Sequence, residues 1–176
     1  RLDKIIKNTE LIKKNKKKTK KQINKEELIK QLILATDNFI VYRPNFRLHT
    51  IIAGYPWFLD WGRDSLISFE GLLLLTKRFD IAKEVLLTNI RDVKYGLVPN
   101  GYSGYDNRPL YNSVDASLLL FEQIQKYIEY TGDIKFVKQE LYEKLEEIIE
   151  KYCSGIDVDN NNIYLDTDGL IVSGTE

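Results

Sequence analysis

Methionine is absent from all 176 residues, including the first position. A natural chain starts with one, so the sequence reads as a piece excised from a longer protein. One cysteine, Cys153, excludes an internal disulfide and fits a reducing cytosol. One histidine, His49, has no second His or Cys beside it, which argues against a zinc site or a His-based triad. No glycine-rich phosphate cradle is present. No apolar run reaches the roughly 18 residues that span a bilayer, and no signal-peptide pattern opens the chain. Net charge is lacking too. The 26 basic and 26 acidic side chains cancel, giving no general attraction to nucleic acid or to an anionic membrane. A neutral polysaccharide is compatible with that balance.

Chemistry is concentrated in Ala53-Gly-Tyr-Pro-Trp-Phe-Leu-Asp-Trp-Gly-Arg-Asp64. Aromatic faces pack the apolar C–H side of a pyranose, while Asp and Arg supply forked acceptors and donors for vicinal hydroxyls. The same composition also suits an aromatic core turn closed by a capping Asp.

Residues 1–22 are lysine-dense and lack interleaved aromatics. They read as a basic linker or helix arriving from an upstream region, ahead of a domain over 23–176. Asn24-Lys-Glu-Glu27 has the form of a capping box. It opens a helix with Leu28, Leu32, Ala35 and Phe39 at helical spacing, ended by Arg43-Pro44. Residues 45–63 read as irregular or short-stranded, with Thr50-Ile-Ile-Ala53 the extended piece.

Four helices follow, near 64–77, 80–93, 115–130 and 133–152. The first and third are apolar almost all round, and the second and fourth carry one apolar stripe. Buried alternating with half-buried is the pattern of inner and outer helices in a double-layered toroid, so the expected fold is all-α. A plain helical solenoid or bundle is the competing architecture. Asp64 and Asp115 stand about 50 positions apart, as in a pseudo-repeat of one helix pair.

If the layers alternate in direction, Trp61-Gly-Arg-Asp64 and Tyr111-Asn-Ser-Val-Asp115 fall on one rim. Asp64 and Asp115 are both good N-cap types, but capping does not require Trp61 and Arg63, or Tyr111 and Asn112, beside them. Asp60 either pairs with Arg63 or is exposed. Gly96-Leu-Val-Pro-Asn100 returns as a loop that supplies contacts or serves as a connector. Asp157, Asp159 and Asn160 to Asn162 lack the glycine and final glutamate of a calcium loop and read as a surface turn.

Gly54-Tyr-Pro-Trp-Phe58 and Trp61-Gly-Arg-Asp64, with Gly96-Leu-Val-Pro-Asn100, Tyr111-Asn-Ser-Val-Asp-Ala116 and Asp168-Gly-Leu170 in order, resemble the signature of amylo-alpha-1,6-glucosidases. These form the glucosidase module of glycogen debranching enzymes. The resemblance spans about residues 53–170 and implies the N-terminal part of an (α/α)6 barrel, in a cytoplasmic enzyme acting on branched α-glucan without cofactor or metal. It implies substrate contacts from Trp57, Trp61, Arg63, Asp64, Asn100, Tyr111, Asn112 and Asp115. Asp64 and Asp115 could be argued into the pair of carboxyl groups that glycoside hydrolysis needs. In the family, however, the acid belongs to a Thr-Trp-Met-Asp segment soon after Asp-Gly-Leu, and the base lies near the domain's far end. Both are then expected beyond Glu176. A glucoamylase or trehalase relative, or a non-catalytic helical-repeat module with Trp57 and Trp61 in its core, are the rival readings.

Overall fold

The computed structural model describes residues 24–104, 106–158 and 161–174. The chain divides into two units, Arg1–Leu34 and Ala35–Glu176. The lysine-dense segment over 1–22 lies outside the described residues. Helix α1 (Lys25–Thr36) starts as expected, with the Asn24 side chain accepting a hydrogen bond from the Glu26 N–H at 3.1 Å. None of its residues is buried. It stops seven residues before the expected end at Arg43, giving way to a short 3₁₀ turn (Asp37–Phe39) and a strand.

That strand begins the main correction. The chain is not all-α, because three small antiparallel sheets interrupt the helices. Strands β1 (Ile40–Arg43) and β2 (Leu48–Ile51) form a hairpin, with Val41 opposite Thr50. Strands β3 (Gly101–Tyr102) and β4 (Pro109–Leu110) form a second. Strands β5 (Ile156–Val158), β6 (Asn161–Leu165) and β7 (Ile171–Gly174) form a three-stranded meander. Ile-Val-Tyr-Arg, Leu-His-Thr-Ile and Asn-Ile-Tyr-Leu are runs of β-branched and aromatic residues that prefer a pleated surface. Of the segment expected as a surface turn, Asp157 stands opposite Asn162 and Val158 opposite Asn161 in the β5–β6 ladder, and Asp159 and Asn160 lie outside the described residues.

The four helices fall close to their expected places. Helix α2 (Gly62–Phe69) continues through a π-helical turn (Glu70–Leu74), followed by α3 (Phe79–Arg91) and α4 (Asp115–Thr131). The fourth is broken into α5 (Ile134–Phe136), a π-helical turn (Val137–Leu141) and α6 (Tyr142–Ser154). Their directions follow from contacts. Arg63 meets Asp115 at the starts of α2 and α4, and further along Glu70 meets Lys126 and Tyr130, so the two helices run parallel. Helix α3 starts near the far end of α4, where Lys83 meets Asp133. It ends near the approach to α4, where the Tyr111 hydroxyl donates to the Asp92 carbonyl. Tyr152, late in α6, donates to the Val114 carbonyl just before α4. Helices α3 and α6 therefore run against α2 and α4.

Burial does not follow the expected alternation. Helix α3 was to have a wet face, yet no residue from Ile81 to Ile90 is exposed. The β1–β2 hairpin covers that face: Glu84 accepts from the His49 backbone N–H and pairs with its Nδ1, and Thr88 donates to the His49 carbonyl. Of the polar residues of α3, Glu84 and Thr88 are hydrogen-bonded to the strand, while Lys83 pairs with Asp133 and Arg91 with Asp92. Helix α2 was to be covered all round, yet Ile67 and Leu75 are 63% and 65% exposed. Among the described residues no closed ring of helices is present.

One ion pair fixes the hairpins to the helices. Arg43, ending β1, places Nη1 at 2.8 and 2.7 Å from the two carboxylate oxygens of Asp60. Its Nη2 donates to the Asn107 side chain at 3.0 Å, and its guanidinium lies 4.1 Å from the Phe46 ring centre and 4.9 Å from that of Tyr102. Asp60 is 6% exposed, so removing Arg43 strands a buried carboxylate. Arg43→Ala is expected to cost about 3 kcal/mol, the low end for breaking a buried pair. Denaturant unfolding of Arg43→Ala, Asp60→Asn and the double variant should give a coupling above about 1 kcal/mol, whereas additive losses would show that the pair is not the strut.

Candidate functional site

The loop between β2 and α2 carries the aromatic motif. It closes on itself through the Ala53 N–H to the Leu59 carbonyl and an Ile52–Asp60 bridge. Asp60, expected beside Arg63 or in solvent, is held by Arg43 behind the loop instead. With that anchor inside, Tyr55, Trp57, Phe58 and Leu59 face outward, and Trp57 is 84% exposed. Trp61, 39% exposed, leads into α2.

Neither aspartate is the N-cap of its helix. The Trp61 position precedes α2 without a side-chain cap, and the orphan donors are served from elsewhere. The Gly62 N–H donates to the Asn100 carbonyl at 2.9 Å, and the Arg63 N–H reaches the Asn100 side-chain oxygen at 3.4 Å. Asn100 is itself buried and donates its N–H to Leu110. The Gly96 to Asn100 segment is thus a brace for α2. It presses so close that a Cβ on Gly62 would stand 2.4 Å from the Pro99 carbonyl oxygen. At the start of α4, Ser113 Oγ accepts from the Ala116 N–H and donates to Asp115.

Arg63 and Asp115 join the two helix starts. Arg63 Nε and Nη2 stand 2.5 and 2.9 Å from the two oxygens of Asp115, a bidentate pair. The Arg63 hydrogen bonds, helped by Ser113, hold the Asp115 carboxyl at about 2 against the opposing effect of partial burial. The pair also raises Arg63 above its ordinary value. Asp64, one position on, is exposed, and its carboxylate accepts no hydrogen bond among the described residues; only its carbonyl is engaged, by Ser68.

The expected site residues share one end of the helices but not one cavity. Asp64 borders an apolar hollow of about 340 Å³ with Phe39, Ile52, Ile67 and Leu72. Arg63 borders a hollow of about 230 Å³ with Asn112, Ser113, Ile163 and Ser173. Tyr111 and Asn112 line a third, of about 590 Å³, with Lys94 and Arg108. Trp61 covers a crevice too small for a sugar, and Trp57 stands apart on its loop. The Tyr111 hydroxyl is already committed to Asp92, and burial pushes it up to about 12. Arg43, Ser113, Lys94 and Arg108 were missed in the sequence. Only Ser113, three residues before Ala116, carried a readable capping signal.

The profile of the amylo-alpha-1,6-glucosidase family matches residues 34–176, and the chain belongs to that family. The glycogen debranching enzyme of Saccharomyces cerevisiae (strain ATCC 204508 / S288c) is 36% identical over 102 residues. That alignment covers 55% of this chain and 7% of the yeast protein.

Two outcomes test the local geometry. Gly62→Ala should destabilise by about 1–3 kcal/mol, because the clash is with backbone and cannot be relieved by a rotamer change. Thermal unfolding reads it. The Asp115 carboxyl is depressed on folding, so its contribution is complete above about pH 4 and fades as pH falls towards 2. The pair is over a third exposed on both sides, which limits that contribution to about 0.5–1 kcal/mol. An Arg63→Gln variant should lose this acid-limb dependence in pH-resolved unfolding.

Proposed function

We propose that this chain carries part of the glucose-holding surface of a debranching α-1,6-glucosidase that hydrolyses the branch linkages of glycogen or limit dextrin. The observation that carries the reading is the Arg63–Asp115 bridge between two parallel helix starts, beside an exposed Asp64 carboxylate and exposed aromatics. Arg63, Asp64, Asp115, Asn112 and the exposed faces of Trp57 and Trp61 supply the donors, acceptors and stacking surfaces that a terminal glucose requires. Asn100 and Tyr111 support them from behind. Membership of the family and likeness to the yeast enzyme support the same substrate class. Among the described residues no helix is long and apolar enough to cross a membrane, and the enzyme is read as cytoplasmic.

The chemistry is read as inverting and free of cofactor, with the acid and base on other segments of the whole protein. An Asp115 carboxyl held near 2 has no proton to give at neutral pH and is a weak base, so it suits a holding role better than general acid–base work. Asp64 is read as binding hydroxyls of the glucose whose bond is cleaved. A non-catalytic helical module would keep Trp57 and Trp61 in its core, and the exposure of Trp57 speaks against that rival.

The test uses the full-length protein. Asp64→Asn should lower kcat/KM on limit dextrin by about 10²–10³ if its hydrogen bonds tighten in the transition state. α-Glucosyl fluoride needs little protonation of its leaving group. It should restore turnover to a variant of the true general acid but not to Asp64→Asn. Rescue of Asp64→Asn by the fluoride would make Asp64 the acid. Stronger turnover of maltose or trehalose than of limit dextrin would move the enzyme to another glucoside class.

A further inference from the structure

The cavity of about 590 Å³ lined by Lys94, Tyr95, Arg108 to Asn112 and Val158 has a different chemistry from the Arg63–Asp115 end. Its volume lies in the roughly 300–1,000 Å³ range of small-molecule sites. Its two charged groups are both cations, on a chain whose overall charge is zero, and no carboxylate lines it. Neither Lys94 nor Arg108 makes an ion pair among the described residues. Of the acids nearby, Asp92 pairs with Arg91 and Glu147 with Lys144, while Asp106 accepts the Arg108 backbone N–H at 3.1 Å and lies in the field of the Arg108 side chain. The two cations offer a sugar hydroxyl no acceptor, and Asn112 is the one side-chain amide in the lining. An anion satisfies both cations.

The walls are held in place. Lys94 and Leu97 close a tight turn, and its Gly96 packs so near Lys151 that a Cβ there would stand 2.4 Å from the Lys151 Cβ. The Lys94 ammonium lies 4.6 Å from the Tyr95 ring centre, a cation–π contact between two lining residues. Across the cavity, the Ser103 N–H donates to the Arg108 carbonyl, pinning the β3–β4 hairpin, and Tyr111 is fixed by Asp92. Pro109, Leu110 and Tyr111 add an apolar wall, and Asn112 adds an amide.

We infer that this cavity binds a hexose phosphate monoester, with the phosphate between Lys94 and Arg108 and the sugar ring against Pro109, Leu110 and Tyr111. This site goes beyond the glucosidase reading and does not depend on it. Binding is measured by calorimetry on the full-length protein. The probes are glucose 6-phosphate, a phosphorylated malto-oligosaccharide, inorganic phosphate, glucose and maltose. Glucose 6-phosphate should bind, weaken with added salt, and lose about 10-fold in affinity in each of Lys94→Ala and Arg108→Ala. Both side chains are exposed, and unchanged thermal unfolding of the variants keeps the comparison clean. Tighter binding of the phosphorylated oligosaccharide would assign the phosphate to the glucan itself, and tighter binding of glucose 6-phosphate would assign it to a free metabolite. Inorganic phosphate binding as tightly as the ester would overturn the sugar part of the inference. Maltose binding as tightly as the ester, or an affinity unchanged in both variants, would overturn the whole.

Discussion

The buried pair between Arg43 and Asp60 is the constraint on which the outer architecture rests. Asp60 is buried behind the loop with Arg43 as its ion-pair partner, and Arg43 reaches it only if β1 ends where it does. The same guanidinium stacks on Phe46 and Tyr102 and bonds Asn107, so three segments far apart in sequence meet at one side chain. Arg91 sits 3.6 Å from the other contributor to this stack, the Phe46 ring, and extends the arrangement to the end of α3. A planar, permanently charged fork is needed here, since a lysine offers neither the stacking plane nor the paired donors.

The clamp leaves the aromatic loop anchored on its inner side only. Hydrophobic side chains on a short loop ordinarily turn inward, but Asp60 takes the inward place and Trp57 and Phe58 are left in water. Asn100 then does for α2 what a local cap would have done, from 37 positions away. Bracing a helix start with a distant segment is a less economical way to satisfy its N–H groups than a serine at the cap. It leaves the side chains of the first turn uncommitted to capping. That outcome separates Asp64 from an ordinary N-cap.

Helices were legible in the sequence because their apolar spacing is local: α3 and α4 lie within about two residues of the expected bounds, within the usual scatter of helix ends. The strands were legible only in part: Thr50 to Ala53 was read as extended and overlaps β2, while the other strands carried no such reading. Ile40 to Arg43 was absorbed into the preceding helix because Phe39 continues the spacing set by Leu28, Leu32 and Ala35, and Thr36-Asp37-Asn38 was not weighed as a break. The all-α expectation fell with it. The buried state of α3 was equally hidden, since a charged residue such as Glu84 reads as solvated until a strand is placed against it. At the site, residue types were readable and partners were not. Arg63 and Asp115 were both singled out, but their bond spans 52 positions, and nothing local announces it.

Electrostatics adds an argument that the motif alone lacks. The first turn of a helix carries the positive end of its dipole, which favours Asp115 in α4 and Asp64 in α2 but disfavours Arg63. A cation in that position is tolerated because Asp115 lies across it and Asp64 beside it. Arg63 offsets that conflict through its bidentate pair with Asp115, which joins the two helix starts. The arrangement sets the Arg63 guanidinium and the Asp115 carboxylate, beside the exposed Asp64 side chain, at one end of the two helices.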